Sequence, residues 1–262
     1  MLKTLNTAAT GMKAQQTNMD VISNNMANVN TVGFKKSRAE FEDLLYQTDK
    51  EPGEASGLNS VSPAGVQTGL GVKTQAIQKD FETGSPRITN NPLDVMIEGK
   101  GFFQIQLPDG GTGYTRNGAF KRSAEGRLVD GSGYPVVPEI VIPSNASGIE
   151  VEPFGKVLVT IGNAINQPQE VGQLELAYFV NPTGLRSLGR NLFSSTPASG
   201  QPQVEAPGQN SLGMLAQGQL ESSNVNIVDE MVNMITAQRS YETNSKAIQA
   251  ADQMLQTVNT LR

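Results

Sequence analysis

The chain has 262 residues, a formal net charge of −5, and no Cys or His. Those absences exclude disulfides, Cys/His zinc sites, His-dependent catalytic groups and an imidazole pH switch. Only 17% of residues are charged, while Asn and Gln number 21 and 20. The negative balance argues against nucleic acid, whose binding rests on Lys and Arg neutralising phosphates.

All 14 Pro and 26 of the 27 Gly lie between positions 31 and 218. Both ends are therefore free to form long helices. In residues 1–30 one heptad seam reads Leu5, Met12, Met19, Met26, and the other Leu2, Ala8, Gln15, Ile22, Val29. Residues seven apart share a face only when a helix winds against a partner. The tract at 23–30 carries Asn24, Asn25, Asn28 and Asn30, which weaken an isolated helix. Fraying or capping is one reading. Amide bonding between identical chains is the other, because uncharged amides let stacked copies avoid self-repulsion.

Residues 31–72 are rich in Gly, Ser, Pro and Gln, with one apolar cluster of Phe41, Leu44, Leu45 and Tyr46. An extended connector is predicted there. Residues 73–218 hold short strand-like runs at Val95–Ile97, Phe102–Leu107, Ile140–Ile142, Val157–Ile161 and Leu174–Val180, divided by turn signals such as Pro108-Asp109-Gly110. This reads as an all-β domain, a barrel or a sandwich.

Residues 219–262 return to helix. The seam runs Ile227, Met234, Tyr241, Ile248, Leu255, with Glu230, Ala237, Asn244, Ala251 and Val258 beside it. Asn226 is the candidate N-cap, and Asp229 and Glu230 suit the first turn. The fold class is therefore α+β: two terminal helices forming a coiled-coil-like core domain, a connector and a central all-β domain. Val228, Met231, Ile235, Ala247, Met254 and Leu261 form a second apolar flank that a two-helix pair cannot cover. Each such Met, Leu or Ile contributes roughly 1.5–3 kcal/mol if fully buried, against association costs of about 4–15 kcal/mol. Polymerisation is thus predicted over a bare helical hairpin. The candidate self-assembly residues are Leu5, Met12, Met19, Ile22, Met26, Asn24, Asn25 and Asn28 at one end. At the other they are Ile227, Met231, Met234, Ile235, Tyr241, Ile248 and Leu255.

A catalytic search finds little. Gly69-Leu70-Gly71 and Gly99-Lys100-Gly101 lack the third glycine and the helix of a dinucleotide loop, and read as turns. Glu40, Glu42 and Asp43 read as a solvated acidic face, since no apolar burial surrounds them to shift a pKa. No cofactor, metal or small-molecule substrate is expected. The first sixteen residues lack the apolar run of a secretory signal, and no apolar stretch is long enough to span a bilayer.

The segment from Met12 to Arg38, MKAQQTNMDVISNNMANVNTVGFKKSR, resembles the N-terminal signature of bacterial flagellar rod and hook proteins. The segment Glu221–Leu255 resembles their C-terminal signature, and IEGKGFFQIQLPDG from Ile97 with YTRNGAFKRSAEGRLV from Tyr114 is similar to the β domain of the larger members. Ser222 stands where Thr is common, and Asn117 and Ser123 where Asp is common. These positions touch hydrogen bonding in turns.

The stretch Tyr46–Pro63, YQTDKEPGEASGLNSVSP, is similar to an insertion that separates a mid-length rod member from the hook type. Its Tyr46, Pro52, Leu58, Val61 and Pro63 are candidate rod-straightening residues. Composition and spacing divide the chain into a 1–30 helix, a 31–72 connector, a 73–218 β domain and a 219–262 helix. The resemblance implies that the helices line the core and the β domain forms the outer wall. It implies a homopolymer that is exported uncleaved by the flagellar export apparatus and forms a hollow, periplasm-spanning drive shaft. The partners implied are proximal rod proteins, the hook base, and the P and L ring proteins. A proximal rod or hook subunit is the alternative within the family. A peptidoglycan-acting enzyme would need a carboxylate pair in a cleft, and a surface adhesin would need a signal or an anchor.

Overall fold

Two long helices bracket the chain, and β structure and turns fill the interval. The computed structural model describes residues 2–53, 55–57, 60–61, 64–161 and 168–260. Helix α1 spans Leu2–Ala27 and α2 spans Ile227–Thr260, so the α+β class holds. The chain divides into two compact units: Met1–Ala27, Ser37–Lys79 and Asn226–Arg262 in the first, Asn28–Lys36 and Asp80–Val225 in the second. The stretch read as one connector is thus shared, with 31–36 in the β unit and 37–72 beside the helices.

In the first unit α1 and α2 run antiparallel. Asn25 reaches Glu230 near one end of the pair, and Gly11 lies against Asn244 farther along. Small buried residues, Ala8 and Ala14 on α1 and Ala237 and Ala251 on α2, allow a close approach, with Val21 and Ile22 filling the space between. Asn226 caps α2: its Oδ1 accepts from the Val228 N–H at 3.1 Å. Asp229 and Glu230 complete the first turn, where negative charge complements the helix dipole.

The rest of this unit is a two-stranded ribbon. Strand β1 (Ser37–Asp43) pairs with β6 (Val72–Lys79), β2 (Tyr46–Lys50) with β5 (Val66–Gly69), and β3 (Ala55–Gly57) with β4 (Ser60–Val61), all antiparallel. A bulge between Glu40 and Phe41 shifts the register of the first pair. Exposure alternates along β1 and β6, as period-2 side chains require, and this pair packs on α1.

The second unit is built from short strands: β7 (Pro86–Ile88), β8 (Val95–Glu98), β9 (Phe102–Gln106), β10 (Thr112–Thr115), β11 (Lys121–Arg122), β12 (Leu128–Val129), β13 (Val136–Val137) and β14 (Ala146–Val151). There follow β15 (Lys156–Ile161), β16 (Gln169–Gln173), β17 (Leu176–Tyr178), β18 (Arg186–Gly189), β19 (Leu192–Ser194), β20 (Gln203–Glu205), β21 (Met214–Gln217) and β22 (Gln219–Glu221). One sheet holds the order β18-β19-β10-β9-β17-β20, with β13 also on β9; a three-stranded sheet holds β14-β15-β16; the other strands pair in twos. Among the described residues these short strands form separate sheets instead of the single barrel or sandwich expected from the sequence. The main core collects Ile97, Phe103, Ile105, Ile140, Ile142, Val159, Leu174 and Leu176. Ile140–Ile142, predicted as a strand, lies outside any named strand, with both isoleucines buried and Val141 exposed. It is held by bonds from the Leu128 N–H to the Ile140 carbonyl and from the Ile142 N–H to the Gly126 carbonyl.

Candidate assembly surface

The apolar positions of α2 separate into two faces. Heptad positions Met234, Ile248 and Leu255 are half-buried along the helix pair. Val228 and Val232 are 66% and 58% exposed, and Ile227, Met231, Ile235 and Met254 are also exposed. Ile227, read as a seam residue, therefore stands with the outer flank. Residues three and four apart share a helix face, so 228, 231, 232 and 235 make a continuous apolar strip over two turns. Tyr241 is exposed as well, at the margin of the seam. Contiguous exposed apolar surface of this kind marks an interaction site.

On α1, Leu5, Met12, Met19 and Met26 are half-buried and Ile22 is buried. Asn25 is buried, and its amide works inside the subunit. Its Nδ2 donates to the Ser37 carbonyl at 2.8 Å and to Glu230 Oε2 at 3.4 Å, while its Oδ1 accepts from the Ser37 N–H at 2.9 Å. Side chain and backbone thus pair like two strands, fixing the start of β1 beside the end of α1. Little of this amide is left for another chain. Asn24 is exposed, and Asn28 accepts from Thr31 Oγ1 at 3.2 Å.

The ribbon carries a second exposed apolar group: Leu45 is 84% and Tyr46 57% exposed. Pro52 is exposed at the turn after β2. Leu58 and Pro63 lie outside the described residues, and Val61 enters only through its backbone in β4. The acidic face resolves into surface pairs: Glu40 with Arg38 at 2.9 Å and Glu42 with Lys73 at 2.5 Å.

The β unit contains a cluster of charges that the sequence reading missed. Lys35, Arg116 and Glu221 are all buried. Lys35 Nζ donates to Glu221 Oε1 and to the Glu82 carbonyl, both at 2.6 Å. The Gly84 N–H donates to the same carboxylate oxygen at 2.8 Å, and Arg116 Nη1 stands 3.6 Å from Glu221 Oε2. Burial pushes the Lys35 ammonium below its ordinary pKa, opposed by the Glu221 carboxylate. The Arg116 guanidinium is lowered by the same cause. Gly33, at φ +67°, makes the cluster possible: a Cβ there would lie 2.8 Å from the backbone of Arg116. Its N–H donates to the Glu221 carbonyl at 2.8 Å. Beside it, the Lys36 N–H donates to Asn224 Oδ1 at 2.8 Å, and Asn224 Nδ2 donates to the Asp80 carbonyl at 2.9 Å. The points where the chain enters and leaves this unit are therefore sewn together. The available signal was that Gly33-Phe34-Lys35-Lys36 and Glu221-Ser222-Ser223-Asn224 stand in motifs at opposite ends of the sequence.

A pair of terminal helices with an exposed apolar strip, with a separate β unit between them in the sequence, defines a structural class of protein. The comparisons give the family. Residues 5–35 match the family described as flagella basal body rod protein, 96–159 the flagellar hook protein FlgE/F/G D1 domain, and 216–261 the flagellar basal body rod FlgEFG protein C-terminal region. The chain is similar to flagellar basal-body rod protein FlgG of Buchnera aphidicola subsp. Schizaphis graminum, 50% identical with all of both chains covered. It is likewise similar to FlgG of Caulobacter vibrioides, 50% identical, and of Bacillus subtilis, 40% identical, again over the whole of each. The chain belongs to the flagellar basal-body rod protein family and is a structural component of the flagellum, not an enzyme.

Proposed function

We propose that this chain is the distal rod subunit, polymerising helically into a rigid, hollow drive shaft that carries torque across the periplasm to the hook. The observation that carries the reading is the exposed strip Val228, Met231, Val232 and Ile235, which lies beside a helix pair whose seam is already covered. Each residue contributes roughly 1.5–3 kcal/mol on full burial, and the strip recurs in every copy. In the assembly the terminal helices of neighbouring copies pack as coiled coils lining the central channel, and the β units form the outer wall. Full-length similarity to FlgG proteins supports this choice over a proximal rod or hook subunit. The neighbours are proximal rod proteins at one end, the hook base at the other, and the P and L ring proteins around the shaft. The chain reaches that position through the flagellar export apparatus without cleavage.

The test is Ile235→Asp in a motile host. A carboxylate desolvated in a packed interface costs several kcal/mol, so motility should be lost and basal bodies should lack a complete rod. The purified variant should keep the β-sheet circular dichroism of the intact chain. Normal motility would remove the α2 strip from the interface.

A further inference from the structure

A groove of about 370 Å³ opens on the β unit between Phe81–Thr83, Gly99–Phe102 and Tyr178–Pro182. Its floor is aromatic. Phe102 is buried, and the rings of Phe81 and Phe179 meet it edge-on with centroids 5.3 and 5.8 Å away. Val180, on the wall, is 73% exposed. Arg116 also lines the groove, its guanidinium carbon 5.4 Å from the Phe102 centroid. Its Nε and Nη1 have no hydrogen-bond partner among the described residues, although the side chain is only 2% exposed.

The charges around the groove do not cancel. Lys35 and Arg116 against Glu221 leave one net positive charge behind the floor. Asp80, which also acts on Lys35, is offset by its partner Lys36, and at the rim Lys100 offsets Glu82. Low-dielectric walls focus such a field into a cleft. An apolar groove above an incompletely paired arginine suits an apolar segment that brings a carboxylate with it.

The chain itself presents a segment of that chemistry. Glu42-Asp43-Leu44-Leu45-Tyr46 joins β1 to β2. Leu45 and Tyr46 are the exposed pair described above. Asp43 is exposed and makes no ion pair among the described residues, whereas Glu42 is held by Lys73.

We propose that the groove receives the Asp43–Tyr46 corner of a second copy of this chain. Leu45 and Tyr46 lie on Phe102 and Val180, and Asp43 turns toward the positive floor. This contact rests on the self-assembly reading and specifies one joint of it, between the ribbon of one copy and the β unit of the next.

The absence of native cysteine makes the contact directly testable. Leu45→Cys and Val180→Cys, both at exposed positions, are prepared as separate full-length variants and co-assembled. Mild oxidation should then give a disulfide-linked dimer on a non-reducing gel from the mixture, and none from wild-type chain. Adding Asp43→Lys to the Leu45→Cys chain should remove most of that dimer. Normal particles without a mixed dimer overturn this contact while leaving self-assembly standing. Wild-type chain that forms no particles overturns both readings together. A dimer at full yield in the Asp43→Lys background overturns the selection by charge.

Discussion

Gly11 of α1 and Asn244 of α2 stand so close that a Cβ on Gly11 would lie 3.0 Å from the Asn244 side-chain nitrogen. Asn244 occupies a seam position, where a polar residue weakens packing but fixes the register of two helices. Gly11 makes room for it. Replacement by Ala adds about 1 kcal/mol of helix propensity and asks only that a flexible amide move aside. Replacement by Val adds branched bulk that the amide cannot escape, and overpacking of this kind costs about 1–3 kcal/mol. Thermal melts followed at 222 nm should place Gly11→Ala at or above wild type and Gly11→Val below it. Equal melting of Gly11→Val and wild type would show that the approach does not constrain the pair.

The covered seam should behave differently from the exposed strip. Met19 and Ile248 are half-buried along the helix pair, so Met19→Asp or Ile248→Asp should lower helix stability in the isolated subunit and also block assembly. Ile235→Asp should block assembly alone. Helical ellipticity of the purified variants, read beside motility, separates the two cases. Identical melts for Ile235→Asp and Ile248→Asp would mean that the faces of α2 are not distinct.

Glu221 holds two buried cations, so its loss should be among the most damaging single changes in the β unit. Removing one partner of a buried ion pair typically costs about 3–5 kcal/mol, because the remaining charges stay desolvated. Denaturant unfolding of Glu221→Leu should fall in that range, with exposed Glu125→Leu close to neutral. A loss under about 1 kcal/mol, the scale of an exposed pair, would show that water reaches the cluster.

Lys35 gives the same cluster a pH signature. Burial lowers its folded-state pKa below the value of 10.5 that an unperturbed lysine has. Between those two pKa values the unfolded chain binds more protons than the folded one, so stability from this group rises with pH across that window. Below it, the charged form carries its desolvation cost in full. Lys35→Met lacks the titration. The stability of wild type relative to Lys35→Met should therefore increase as pH climbs toward 10.5, measured by denaturant unfolding at several pH values. A difference that is flat or falls with pH would contradict the burial of a charged Lys35.

We propose that the 46–63 stretch keeps the rod straight. Its Pro and Gly content makes a stiffening role depend on docking against neighbours, and Tyr46 is exposed and available for that purpose. Deleting 46–63 should leave export and polymerisation largely intact and yield rods that bend in electron micrographs. Rods of equal straightness would end the proposal, and failure to assemble would place the segment earlier in the process.

By itself the sequence determined where the helices are and which of their faces are apolar. Pro and Gly are excluded from both ends, and heptad spacing is a local property that survives whatever the chain packs against. The same holds for Asn226, whose capping bond spans two residues. The spacing also set Met234 on the seam and Met231 on the flank, and Met231 is the more exposed of the two. Tertiary structure alone decided that Ile227, a seam residue by spacing, stands with that outer flank. It also decided that Asn25 serves Ser37 and Glu230, and that Ile140–Ile142, with both isoleucines buried, lies outside any named strand. The charge cluster shows the reason most plainly. Lys35 and Glu221 are 186 positions apart, each an ordinary surface residue by type. Only the fold removes water from both, and that desolvation turns two unremarked charges into a joint between the ends of the β unit.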